Sequence, residues 1–214
     1  MTFDSVTFVP VALSTIVLCS VELLQDSVNI DQALRQSIAG AMPGEIDRVS
    51  LIGTGSTNQP KGISNIAGVG SVSLGTNGAA PANYDCLVDA ITPMLTANAP
   101  LPTAYIMPPR TYAEFAKLKD SQNRPLTRPE LIANIPLVSN SRLPINETQG
   151  TSNLSSRIIT GDFTQAMLGV RLGVTVKPLV ERYAEYGQVG FWVFWRGDFQ
   201  VMHPASFSQV IGVL

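Results

Sequence analysis

The chain has 214 residues, 45% hydrophobic and 14% charged, with 14 Lys and Arg against 16 Asp and Glu and a formal net charge of −2. A soluble domain usually carries about 25% charge. The near-neutral balance excludes a nucleic-acid binder working through a basic stripe, and the well-spread aromatic and branched residues exclude a disordered chain.

Uncharged polar residues, 17 Gly and 15 Pro take the place of the missing charge. That composition predicts a chain that buries much of its surface against partners. The length fits one domain or two lobes and needs no disulfide staples. The two cysteines, Cys19 and Cys86, form no C-x-x-C pair and read as free buried thiols. No Lys or Arg precedes the apolar run Val11 to Val21, and Pro10 opens it. It therefore lacks the positive flank of a signal peptide, and it falls far short of the roughly 20 residues of a membrane span.

In chain order, Phe3 to Phe8 alternates and Ser14 to Ser20 is rich in β-branched residues; both read as strands. Ser20 to Asp26 reads as a short helical turn. Ile30, Leu34, Ile38, Met42, Ile46 and Val49 then mark one apolar face of a long helix. Asn29 is its expected cap, with Gln32 as capping-box partner, and Gly53 and Gly55 its end. Pro43-Gly44 predicts a kink or break inside it. Ala67 to Thr76 reads as a hairpin, Asn83 to Ala97 as a helix capped by Asn83, and Thr103 to Met107 as a strand stopped by Pro108-Pro109. Thr111 is the expected cap of a helix reaching Lys119. Asp120 to Pro129 reads as a polar loop, Ile135 to Val138 as a strand, and Leu143 to Ser156 as a polar mobile loop. Arg157 to Thr160, Ala166 to Val176 and Gln188 to Trp195 read as strands. Trp195-Arg-Gly-Asp-Phe199 reads as a tight turn, and Pro204 to Phe207 as a turn before an apolar end. The class is α+β.

Chemistry is sparse. His203 is the one histidine, so a His-rich metal site is excluded and a Ser/His/Asp triad rests on that residue alone. Gly53 to Gly62 (G-T-G-S-T-N-Q-P-K-G) fits neither G-x-x-x-x-G-K-[ST] nor G-x-G-x-x-G. Arg196-Gly197-Asp198 is read as part of the turn. No cofactor, metal or catalytic residue is expected. Arg110, Lys117, Lys119, Arg124 and Arg128 crowd one region among Glu114, Asp120 and Glu130. They read as a solvated mixed-charge face or, more sharply, as a polar contact to a neighbouring subunit or enclosed nucleic acid.

The order of these pieces is more telling than any one of them. Val17 to Asp26 (V-L-C-S-V-E-L-L-Q-D) leads into the long helix, which ends in Leu51 to Ile63 (L-I-G-T-G-S-T-N-Q-P-K-G-I). Met107 to Asp120 with Arg124-Pro125-Leu126, Ile135-Pro-Leu-Val138, Ile159-Thr-Gly-Asp-Phe163 and Arg196 to Phe207 follow in order. Together they resemble the tailed-phage major capsid protein family with the Hong Kong 97-like fold.

The resemblance implies a peripheral lobe, 1–63 with 160–198, built of a spine helix and long antiparallel strands. It implies an axial lobe, 64–159 with 199–214, built of a central sheet flanked by helices. It implies a structural, non-enzymatic subunit that self-assembles into capsomers and an icosahedral shell around DNA held without sequence specificity. Portal, scaffold and protease proteins would be its further partners, and the host cytoplasm its place of assembly. In the family an N-terminal arm and an extended loop precede the matching segment, while Met1 stands almost where that loop returns. The expectation is thus a truncated, prophage-derived chain, prone to association, without the lysine of the family's isopeptide cross-link. Two alternatives stand beside it: an encapsulin-like compartment shell, and a small nucleotide-binding enzyme using the Gly53–Gly62 loop with Lys61.

Overall fold

The computed structural model describes residues 6–26, 29–56 and 58–214. The chain opens with strand β1 (Val11–Ser20), short helix α1 (Val21–Asp26) and long helix α2 (Ile30–Ile52). Half of the strand expected at Phe3 to Phe8 falls outside the described residues, and the described half is not a strand: Val6 to Pro10 belong to no regular element. Two long strands, β7 (Ala166–Leu179) and β8 (Gln188–Val201), form an antiparallel hairpin. β1 pairs antiparallel with β8, giving a sheet of order β1-β8-β7.

Helix α2 covers one face of this sheet. Ile38 and Met42 pack on Val193 and Trp195, with Leu13, Val17, Ile46 and Val176 around them. The helix is not broken at Pro43-Gly44 as its sequence predicts; it runs 23 residues through that pair. Ile38, Met42 and Ile46 stand one turn apart on either side of the proline, so packing onto one sheet holds both halves in register. Pro43 itself faces outward. Gly44 lets the Arg142 guanidinium lie close against the helix, 2.6 Å from where a Cβ would stand. Asn29 is no side-chain cap; its carbonyl accepts the Ala33 N–H at 3.0 Å.

The second sheet is mixed. Its strands are β2 (Gly70–Ser73), β3 (Ala104–Met107), β4 (Leu137–Ser139), β6 (Ser152–Gly161) and β9 (Phe207–Val213), in order β2-β9-β6-β3-β4. β5 (Glu147–Gln149) pairs with β6 beside this path. Helices α3 (Asp85–Thr96), α4 (Pro109–Ala116) and α5 (Glu130–Ala133) supply one core layer. Leu87, Ala90, Ile91, Phe115 and Ile132 pack there against Tyr105, Met107, Ile158 and Val210. Ile159 and Phe207 belong instead to a second cluster, with Leu51, Ile63, Leu143, Phe199 and Val201. Adjacent residues Ile158 and Ile159 thus face different cores, and the sheet is buried on both faces. Each such fully buried large side chain contributes about 1.5–3 kcal/mol by leaving water.

Four further expectations are corrected here. Ala67 to Thr76 is not a hairpin: it holds the single strand β2, parallel to β9. Thr111 is not a cap: Pro108 holds that position, and Thr111 Oγ1 lies buried 2.8 Å from Ser156 Oγ, which also donates to the Val213 carbonyl. Leu143 to Ser156 is largely structured as the β5–β6 pair, fastened by Arg157 Nε on Glu147 at 2.6 and 2.8 Å. Trp195 to Phe199 is no turn; β8 runs straight through it. Gly197 is what permits this, since a Cβ would lie 2.4 Å from the Trp195 ring.

Candidate subunit interface

The five basic residues are not one equivalent set. Arg110, on α4, donates through Nη2 to the Leu154 carbonyl at 2.6 Å, and its buried Nε has no partner among the described residues. Arg128 reaches the Ile135 carbonyl at 3.5 Å. Both spend their guanidinium on the chain's own backbone. Lys117 and Arg124 stand in water, with side chains 68% and 70% exposed. Each holds a local carboxylate at 3.0 Å: Lys117 that of Glu114, Arg124 that of Asp120. Lys119 is exposed and bridges Pro125 across the same turn. Asp120 organises that turn by accepting the N–H groups of Gln122 and Arg124, each at 2.9 Å.

The Gly53–Gly62 loop is closed on itself. Thr54 bridges Lys61, the Gly62 N–H donates to the Gly53 carbonyl, and the Thr54 N–H to Gln59 Oε1. A Cβ on Gly53 would lie 2.3 Å from the Pro60 carbonyl oxygen. The glycines thus serve a tight backbone crossing at the end of α2, where a phosphate cradle would need N–H groups turned outward. His203 Nδ1 stands 3.1 Å from Ser206 Oγ within one short turn. Among the described residues no carboxylate hydrogen-bonds the ring. Cys19 and Cys86 are both free and buried; burial pushes the Cys86 thiol up to about 11. No group of three His, Cys, Asp or Glu among the described residues is placed to hold a metal. Among them, too, no helix is long and apolar enough to cross a membrane.

Sequence reasoning missed two features. The first is Asp198, only 3% exposed. Its carboxylate accepts from the Val9 N–H at 2.8 Å, the Phe199 N–H at 2.8 Å and Gln200 Nε2 at 3.0 Å. With Arg196 Nη2 near the Pro10 carbonyl at 3.4 Å, it fixes the backbone where the chain enters β1. The second is an apolar face. Helix α2 covers one side of the β1-β8-β7 sheet, but Ile16, Leu18 and Leu172 stay exposed on the other, beside Trp192 and Phe194. The signal for it is Phe191-Trp-Val-Phe-Trp195, apolar at every position in a strand whose sheet has one helical cover.

The profile of the phage capsid family matches residues 1–210. The chain belongs to that family. Its fold is the Hong Kong 97-like capsid fold. The capsid of the empty GTA particle superposes with a TM-score of 0.76 at 20% identity, covering 99% of this chain and 75% of that one. The Gordonia phage Cozz structure gives a TM-score of 0.70 at 16% identity, over 95% and 70% of the two chains. The holo-SrpI encapsulin complex of Synechococcus elongatus gives 0.68 at 16%, over 95% and 74%. No curated protein sequence matches the chain. Within the capsid family the glycine loop reads as the junction that follows the long helix, and α2 as that helix.

Proposed function

We propose that this capsid-family protein is a structural subunit that assembles with copies of itself into capsomers and a closed shell around phage DNA. The family match over nearly the whole chain is the observation that carries the reading. The exposed apolar sheet face and the low charge support it, because a subunit with several like neighbours keeps such surface for them. It works without catalysis, through repeated interfaces. The enclosed DNA is held without sequence specificity, and assembly takes place in the bacterial cytoplasm, with portal, scaffold and protease proteins as further partners. Two lobes divide the work: a peripheral lobe of 1–63 with 160–198, and an axial lobe of 64–159 with 199–214. Lys117, Lys119 and Arg124, exposed on one turn, provide polar contacts between subunits. Arg110 and Arg128 position the local backbone beneath them.

Electron microscopy and native mass measurement of the purified protein test the reading. Rings or shells are expected; monomer alone over a wide concentration range overturns it. The likeness to an encapsulin favours a second reading, a compartment shell around a cargo enzyme. A shell that purifies with a protein cargo and without DNA would establish that one instead.

A further inference from the structure

We propose that the uncovered face of the β1-β8-β7 sheet receives helix α1 of a second copy of this chain. The inference rests on the self-associating reading above and specifies which surfaces meet.

The sheet's register defines the receiving face. Ile16, Trp192 and Lys177 form one row; Ser14, Phe194 and Thr175 the next; Ala12, Arg196 and Leu172 a third. The Trp192 and Phe194 rings lie 5.1 Å apart, and Leu172, Thr175 and Lys177 complete a shallow pocket around them. Val193 and Trp195, between these rows, point the other way and are buried under α2. A sheet with one face in water alternates apolar with polar residues. This one keeps tryptophan and phenylalanine on its free side, so that side is built to be covered. Its rows carry the cations Lys177 and Arg196. Of the hairpin's carboxylates, Glu181 and Glu185 lie in the connection beyond the paired strands, and Asp198, within β8, is buried and taken up by the Val9 and Phe199 N–H groups and Gln200.

Helix α1 is the complementary surface. None of its six residues is buried. It exposes Val21 and Leu23, and it carries Glu22 and Asp26 with no cation. An exposed apolar and acidic helix matches an exposed apolar and basic face. The helix cannot fold back onto its own sheet. It follows β1 without a linker, and its Val21 N–H is bonded to the Gly187 carbonyl at 2.9 Å, at the hairpin end. The occupant is therefore another copy. Because the two patches differ, the contact is head-to-tail, the type that closes into rings.

Charge reversal tests this. One variant carries Glu22→Lys and Asp26→Lys; the other carries Lys177→Glu and Arg196→Glu. Each alone places like charges in the contact, and the concentration needed for assembly should rise about tenfold or more. A single chain carrying all four substitutions brings opposite charges together in every contact whatever the ring size, and its assembly should return towards the wild-type concentration. That return also shows that neither pair of substitutions unfolds the chain, the loss of the Arg196 bond to the Pro10 carbonyl included. If either two-residue variant alone assembles like wild type, or the fourfold variant fails to recover, this contact is wrong while the shell reading stands. If wild type itself stays monomeric, the shell reading falls and this contact with it.

Discussion

Asp198 shows how one carboxylate sets the course of a chain. It sits at the end of the paired β1 and β8 strands and accepts two backbone N–H groups and one side-chain amide. Removing it strands the buried Phe199 donor and releases Val9. Asp198→Ala should cost about 1–3 kcal/mol, measured by chemical denaturation, and should speed amide exchange at Val9. Asp198→Asn keeps an acceptor oxygen and should cost less. Asp120 makes a pH-dependent turn in the same way. The Arg124 N–H above all, helped by the Gln122 N–H and the Arg124 guanidinium, outweighs the desolvation that opposes it and holds its carboxyl below the usual range. A folded value below the unfolded one means the contribution is complete above the unfolded pKa and is lost as pH falls through the folded one. An NMR titration should find Asp120 ionising below an ordinary aspartate. An ordinary value would mean that these hydrogen bonds are not kept in solution.

Helix α2 survives its proline because a sheet, not hydrogen bonding alone, defines it. Pro43 lacks the N–H that would reach the Ala39 carbonyl. Its ring faces outward, and Met42 beside it is buried. Pro43→Ala should restore that bond without disturbing the core. A gain of about 1–3 kcal/mol is expected, read as a higher denaturation midpoint with unchanged slope; a loss would mean that the proline shapes the helix for packing. The periodicity Ile38, Met42, Ile46 made this helix legible, while the local rule about proline misled because long-range packing outweighed it. The same holds for Arg196-Gly197-Asp198. Dipeptide chemistry favours a turn there, but Gly197 exists for the Trp195 ring lying over it. Strand partners are less legible still. Nothing local in Gly70–Ser73 reveals that it lies parallel to Phe207–Val213, some 140 residues on. Of the basic cluster, sequence told the exposed side chains apart from the backbone-bound Arg110 and Arg128 not at all, because that difference depends on carbonyls of Leu154 and Ile135.

The two sheets share their architecture through β8. It begins under α2, with Val193 and Trp195, and ends in the other core, with Phe199 and Val201. The fold should therefore unfold in one transition despite its two sheets. Phe207 is fully buried, edge-on to Phe163 with centroids 5.5 Å apart. Phe207→Ala should cost about 3–5 kcal/mol and lower the whole calorimetric transition; a second, unshifted transition would show that the β1-β8-β7 sheet melts on its own. Order of motifs made the fold recognisable from sequence where no single segment did, since six weak matches in series constrain a topology more tightly than one strong one.

The β7–β8 hairpin has a mechanical consequence. At about 3.3 Å per residue, its 14-residue strands form an arm roughly 46 Å long. Both legs are rooted at the base, where the Met202 N–H meets the Gln165 carbonyl at 2.9 Å. A pull on the tip near Tyr183 travels down two covalent legs at once, so no hydrogen-bonded strand has to slide past another. The arm is stiff in extension, and its soft coordinate is twist. A shell tiled with such arms bears outward pressure through backbone bonds, and it adjusts its curvature by torsion of one ribbon.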